Sequence, residues 1–344
     1  MTTCHRPPGR GSTLTGHANK DQLSRQFAPE PSLGAAAGHH QRRRSGTPDR
    51  SLTLGDQRHP APPPTVTWGG NRYEEIRVFV KVGDQLVHAV RSGSGPRTVV
   101  GIPGSFGTTE IWEQPFEVLS ARYQTVVFDH FGTGETRVPD ELVSFESQVG
   151  LVTDLLDELG IGRCLLAGDS SMAAVAVEVA RRHPERVEAL VLVAAGISYA
   201  PDAGVHRFVS RLRSDPEPTL EGFVRACLPE DDEGHLRRWL KDIILRTGPS
   251  RAARLVESFY EVDIRDRLVQ LRVPTTVVHG ELDALPSSRL DIARELASLV
   301  PGAHLRVING AGHVPTLSRP FEVAGAIEAL LLPPKSPNSP TGSR

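Results

Sequence analysis

The sequence predicts an α/β fold, a doubly wound and mainly parallel sheet interrupted by a helical lid insertion. Three observations predict it. From Arg72 onward, short apolar runs rich in valine alternate with segments of helical period, the pattern of a sheet covered on both faces. That alternation stops at Gly196 and resumes at Thr275. Between the two lies a stretch too long for a bare loop and helical in pattern. Finally, four loops that follow predicted strands carry glycine together with serine, aspartate or histidine, and in such sheets ligands gather at the carboxyl ends of the strands.

The chain has 344 residues, 38% of them hydrophobic, which is enough for a sizeable core. Residues 1–64 stand apart, rich in Pro, Gly, Ser, His and Arg and without a helical or strand period, and are read as a disordered tail. They hold nine Lys and Arg against four acids, so the net charge of -2 for the whole chain leaves about -7 on the remainder. An acidic body argues against nucleic acid as a partner. The run Arg42, Arg43, Arg44 is followed by no apolar segment, which argues against an export signal, and no apolar run approaches a membrane span. Cys4, Cys164 and Cys227 have no metal-ligand spacing, and so few cysteines fit a reduced, cytoplasmic setting.

The core is expected over 65–196 and 268–332. EEIRVFVKV and QLVHAVRS alternate as strands and are joined at Gly83-Asp84 as a hairpin. TVVGI, a helix from Ile111 to Leu119, QTVVFD and a helix from Ser147 to Leu159 follow, the last with Val149, Val152, Leu155, Leu156 and Leu159 on one face. CLLAG then leads into an Ala-rich helix ending near Arg182, and EALVLVAA is the next strand. The insertion, 197–267, contains the helical segments HLRRWLKDIILRT and SRAARLVESFY. Phe208, Phe223, Trp239, Phe259 and Tyr260 within it suit either its own core or a pocket wall. The chain returns through TTVVHG, a helix from Ser287 to Leu299, HLRVIN and a helix from Arg319 to Leu332, and residues 333–344 read as a second tail.

The strand-to-helix junction GDSSM places a serine where a sharp turn exposes a nucleophile at the positive end of a helix, although serine also serves as an ordinary helix cap. A serine nucleophile needs a base, and the base needs an anion to hold its tautomer. Ser170, Asp283 and His313 stand at three strand ends, in GDSSM, GELDALP and GAGHVP.

These loops resemble those of the serine-nucleophile branch of the α/β-hydrolase superfamily, and the resemblance spans Arg72 to about Leu332. It puts Ser170 on the nucleophile position of a G-x-S-x-G elbow formed by Gly168 to Met172, with Asp283 as acid and His313 as base. It implies an oxyanion hole made by the backbone N–H of Ser171 and, from GIPG read as the family's H-G-x-P-G loop, of Ile102. It implies hydrolysis of an ester, thioester or lactone of a small apolar acid through an acyl-enzyme, with a small-molecule substrate and no cofactor or metal. FDHFGTGET resembles the turn after the next strand, where Asp129 is structural. Two positions depart from the pattern: Met172 replaces the last elbow glycine and Val100 replaces the loop histidine. They support the rival expectation of a noncatalytic small-molecule binding protein on the same fold. Asp169 is expected to point away from the nucleophile. His279 is expected to pack or hydrogen-bond, Trp112 to pack its helix, and Asp263 and Asp266 to form ion pairs where the insertion rejoins the core.

Because residues 1–64 lack core-forming side chains, a chain beginning at Thr65 is expected to keep its thermal midpoint and its turnover. Loss of both in calorimetry and assay would refute the tail reading.

Overall fold

A computed structural model describes residues 75–332, so the two expected tails lie outside the described residues. Eight strands form one sheet: β1 (Ile76–Val82), β2 (Gln85–Ser92), β3 (Thr98–Ile102), β4 (Gln124–Phe128), β5 (Cys164–Asp169), β6 (Val187–Val193), β7 (Thr275–Gly280) and β8 (His304–Ile308). Their order across the sheet is β1-β2-β4-β3-β5-β6-β7-β8. The β1–β2 hairpin pairs antiparallel and joins β4 antiparallel, while every pairing from β4 to β8 is parallel. Strands β5 and β7 are buried at all six positions, which is why they read as unbroken apolar runs instead of alternating ones.

The helices outside the insertion are α1 (Glu113–Ser120), α2 (Phe145–Glu158) and α3 (Met172–Arg182), and, after the insertion, α9 (Leu290–Leu299), α10 (Pro315–Ser318) and α11 (Pro320–Leu331). Helix α2 begins two residues earlier than its apolar period suggests, because Ser144 caps it by accepting from the Ser147 N–H at 3.1 Å. Trp112 is fully buried at the start of α1 and packs on Phe116. Asp129 is structural: its carboxylate accepts from the Thr109 N–H (2.8 Å), the Glu135 N–H (2.9 Å) and His88 Nδ1 (2.9 Å), pinning the turn after β4.

Five helices occupy the insertion: α4 (Ala203–Ser214), α5 (Pro216–Cys227), α6 (His235–Thr247), α7 (Pro249–Glu257) and α8 (Arg265–Leu268). Of these, α6 and α7 were legible by period. Helix α4 was not, because only Val209 and Leu212 are buried along it. Helix α5 opens PEPT, which reads as a loop until the prolines are seen to occupy its first turn, where their missing N–H costs nothing. The neck of the insertion is a short antiparallel closure, with Tyr199 N–H donating to Val262 O and Ile264 N–H to Ile197 O, both at 2.9 Å. At this neck the expected ion pairs of Asp263 and Asp266 are absent among the described residues. Asp263 instead accepts the Arg265 N–H at 2.9 Å, and the arginines of α8 pair with Glu295 and Glu178.

Strand β5 and helix α3 approach each other closely at Gly168. A Cβ built there would lie 2.7 Å from the Cα of Ala173 and 2.9 Å from the Cβ of Ala176. Backbone cannot yield as a flexible side chain does, so Gly168→Ala is expected to cost about 1–3 kcal/mol through overpacking. A urea titration that places the variant within error of the parent would show that α3 can move away freely.

Candidate active site

Three loops converge at the carboxyl edge of the sheet. Ser170, which follows β5, has φ +54°, a conformation that costs a non-glycine residue energy and persists only where its surroundings impose it. Here the Ser170 N–H donates to Val193 O (2.8 Å), and its carbonyl accepts from the Tyr199 hydroxyl (3.1 Å) and the Ala173 N–H (3.1 Å). The side chain is thereby thrust away from the strand toward His313. Ser170 Oγ lies 3.0 Å from His313 Nε2, and His313 Nδ1 lies 2.8 Å from Asp283 Oδ2. A hydroxyl, an imidazole and a carboxylate thus stand in one line, an arrangement in which the imidazole can take the hydroxyl's proton while the carboxylate fixes its tautomer.

The acid is itself held. The Ser288 hydroxyl lies 3.0 Å from Asp283 Oδ2 and 3.1 Å from His313 Nδ1, and the Leu285 N–H donates to Asp283 Oδ1 at 3.0 Å. Burial works to raise the Asp283 carboxyl, but the adjacent His313 more than offsets it and the net shift is downward. For His313 burial favours the neutral ring, yet the charge and hydrogen bond of Asp283 prevail and raise it above its ordinary 6.5. His279 is fully buried with Nε2 3.4 Å from Asp283 Oδ2, and burial shifts its ring below its ordinary pKa, against the opposing charge of Asp283. It packs and makes no hydrogen bond through either ring nitrogen.

Ile102, expected to supply an oxyanion N–H, is the last residue of β3, at the carboxyl edge of the sheet and in register with Gly168, with its side chain fully buried. The loop that follows it comes close to Ser170. A Cβ on Gly104 would come within 3.2 Å of Ser170 Cβ. The Gly104 carbonyl accepts from the Gly107 N–H at 2.7 Å and from His130 Nε2 at 3.1 Å. In a trans peptide the N–H points opposite to the C=O. With that carbonyl held by Gly107 and His130, the Ser105 N–H faces the other way. Neither the Ser105 nor the Ser171 N–H has a protein acceptor among the described residues. The Ser105 and Ser171 hydroxyls are hydrogen-bonded to each other.

Asp169 is buried beside the elbow, where burial pushes its carboxyl up to about 7. Met172 is buried at the start of α3. The insertion touches this site through its α5–α6 connection: the His313 N–H donates to Cys227 O (2.7 Å) and the Gly312 N–H to Glu230 Oε1 (2.8 Å). Sequence reasoning missed Ser105, Ser288, Tyr199 and Glu230. Ser288 was the most accessible of these, a serine five residues beyond the acid in the same loop. Among the described residues no group of three or more His, Cys, Asp or Glu is placed to hold a metal ion, and no helix is long and apolar enough to cross a membrane.

A parallel sheet with an elbow serine, a buried carboxylate and a histidine at its carboxyl edge defines a hydrolase class, and the comparisons with known proteins agree. The family model for the alpha/beta hydrolase fold matches residues 97–320. The chain is 28% identical over 258 residues to the pimeloyl-[acyl-carrier protein] methyl ester esterase of Nitrosomonas europaea, covering 71% of this chain and 99% of that one. It is 25% identical over 244 residues to the Karrikin insensitive 2 receptor CA of Petunia hybrida, covering 66% and 89%. Among solved structures, the enol-lactonase from Burkholderia xenovorans LB400 superposes with a TM-score of 0.67 at 21% identity, over 74% of this chain and 99% of that one. The chain belongs to the α/β hydrolase fold family and is an α/β-fold hydrolase.

The shift at His313 sets the sign of a pH effect. A raised value means that the neutral, basic ring is lost as pH falls through a point above 6.5. The acid limb of kcat/KM is therefore expected above 6.5. Asp283→Asn removes the anion that raises it, so the limb should move to lower pH while the maximum falls on the order of 10⁴-fold. An unmoved limb in the pH–rate profile would exclude Asp283 as the group acting on His313.

Proposed function

We propose that this protein is a serine hydrolase cleaving an ester, thioester or lactone of a small apolar acid through an acyl-enzyme. Ser170 attacks the carbonyl, His313 takes the proton and returns it to the leaving group, and Asp283 orients His313. The backbone N–H groups of Ser171 and Ile102 receive the negative charge that develops on the carbonyl oxygen. The observation that carries this reading is the continuous line from Ser170 Oγ through His313 to Asp283, at 3.0 and 2.8 Å. The esterase name of the Nitrosomonas relative supports the bond type. The helical insertion acts as a lid, supported by its contacts to the histidine loop and by the Tyr199 hydroxyl on the Ser170 carbonyl.

The apolar character of the acyl group is supported by a run of rings beside the oxyanion loop. Phe106, next to Ser105, packs edge-on against Phe223 of α5 at 5.5 Å, and Phe223 against Phe208 of α4 at 5.3 Å. Phe259, by contrast, is buried on Phe145 and Tyr199 and belongs to the core beneath the insertion. The substrate is a small molecule and not nucleic acid, and the cytoplasm is the setting that the buried, unpaired Cys164 and Cys227 favour.

A second reading is a noncatalytic binding protein on the same fold, favoured by the receptor name of the Petunia relative and by Met172 at the last elbow position. A fluorophosphonate probe separates the two. It is expected to label Ser170, and Ser170→Ala to abolish labelling and lower ester turnover on the order of 10⁴-fold. Folded protein that resists the probe would favour the binding reading, and an adduct mapped to Ser171 would move the nucleophile by one position.

A further inference from the structure

We propose that Glu230 is a positioning residue for the base: reaching out of the insertion, its carboxylate holds the Gly312 N–H and so fixes the peptide that carries His313; this rests on the function proposed above. The tethers of the histidine loop divide by origin. Its first part is tied to the core. The Gly310 N–H donates to Glu281 Oε2 at 3.0 Å, the Gly310 carbonyl accepts from Arg319 Nη2 at 2.9 Å, and the Ala311 carbonyl accepts from the Leu282 N–H at 2.8 Å. The next two amides turn to the insertion, the Gly312 N–H to Glu230 Oε1 at 2.8 Å and the His313 N–H to Cys227 O at 2.7 Å. The imidazole therefore hangs from the part of the loop whose amides the core does not hold.

Glu230 is pressed directly onto that peptide. A Cβ built on Gly312 would lie 2.4 Å from Cys227 O, 2.6 Å from Pro229 Cδ and 2.8 Å from Glu230 Oε2, so the insertion leaves no space for a side chain there. One carboxylate oxygen takes the amide, while the other is buried with no hydrogen-bond partner among the described residues. A buried acceptor left unpaired is unfavourable, so stability alone does not select a carboxylate at this position.

Proton transfer from Ser170 requires His313 Nε2 to stay at hydrogen-bond distance from the hydroxyl, 3.0 Å here. Without Glu230 the Gly312–His313 peptide keeps one insertion tether in place of two, and the ring spreads over more positions. A displacement on the order of 1 Å is enough to lower a rate about 10²-fold. The effect falls on the steps in which the base acts, hence on kcat and on phosphonylation of Ser170.

The test is steady-state hydrolysis of p-nitrophenyl butyrate together with the rate of fluorophosphonate labelling at Ser170, both on the full chain. Glu230→Ala removes the acceptor, and Glu230→Asp keeps the carboxylate but shortens its reach; each is expected to lower kcat roughly 10-fold and slow labelling by a similar factor, with KM within about twofold. Glu230→Gln keeps an oxygen at full reach and is expected to recover most of that loss. Glu221→Gln weakens the Glu221–Lys241 pair (3.1 Å), which joins α5 to α6 away from the histidine loop, and is expected to leave both rates within about twofold. Values of kcat for Glu230→Ala and Glu230→Asp within about twofold of the parent, a loss confined to KM, a Glu230→Gln no better than Glu230→Ala, or a Glu221→Gln as costly as Glu230→Ala would overturn the proposal. A parent protein that neither hydrolyses the ester nor takes the probe would overturn the hydrolase reading, whereas a parent that does both while the Glu230 variants match it would overturn this inference alone.

Discussion

Everything at the carboxyl edge depends on how tightly β5 is pressed against α3. With no side chain on Gly168 the helix starts almost on top of the strand, and the chain has two residues, Ser170 and Ser171, in which to reverse direction. The left-handed backbone at that residue follows from this confinement. The strain is carried by the well-packed core on either side, and in return Ser170 Oγ is held clear of the sheet at hydrogen-bonding distance from His313. A looser junction would relax the turn and let the serine drop back toward an ordinary helix-cap geometry.

The other two loops are fixed by different means. The loop after β3 is positioned by its backbone: one carbonyl, that of Gly104, takes two donors. The acid loop is positioned by side chains, with Ser288 and Leu285 sharing the oxygens of Asp283. The consequence is a candidate site in which the charge-bearing groups have few alternative partners, the condition under which charge can develop with little reorganisation.

The doubly wound sheet, the hairpin start, the helical insertion and the convergence of Ser170, Asp283 and His313 were legible in the sequence, because buried parallel strands announce themselves as valine-rich runs and the loops after them are short and distinctive. How the loop after β3 is held was not, because the Gly104 carbonyl takes the Gly107 N–H within the loop and His130 Nε2 from a turn far along the chain. Helices α4 and α5 were hidden for a related reason: their stability comes from contacts within the insertion and not from an apolar stripe long enough to read.

The two hydrogen bonds from the histidine loop to Cys227 and Glu230 mean that the part of the chain free to diversify and the part that must stay constant are mechanically one piece. In a modular enzyme a cap could be exchanged to change what is accepted while the chemistry below stays untouched. Here the segment joining α5 to α6 is also a backbone support for the imidazole, so drift in the insertion is felt as drift in basicity and aim. New selectivity on this scaffold would therefore be gained at least cost in insertion side chains away from the α5–α6 connection.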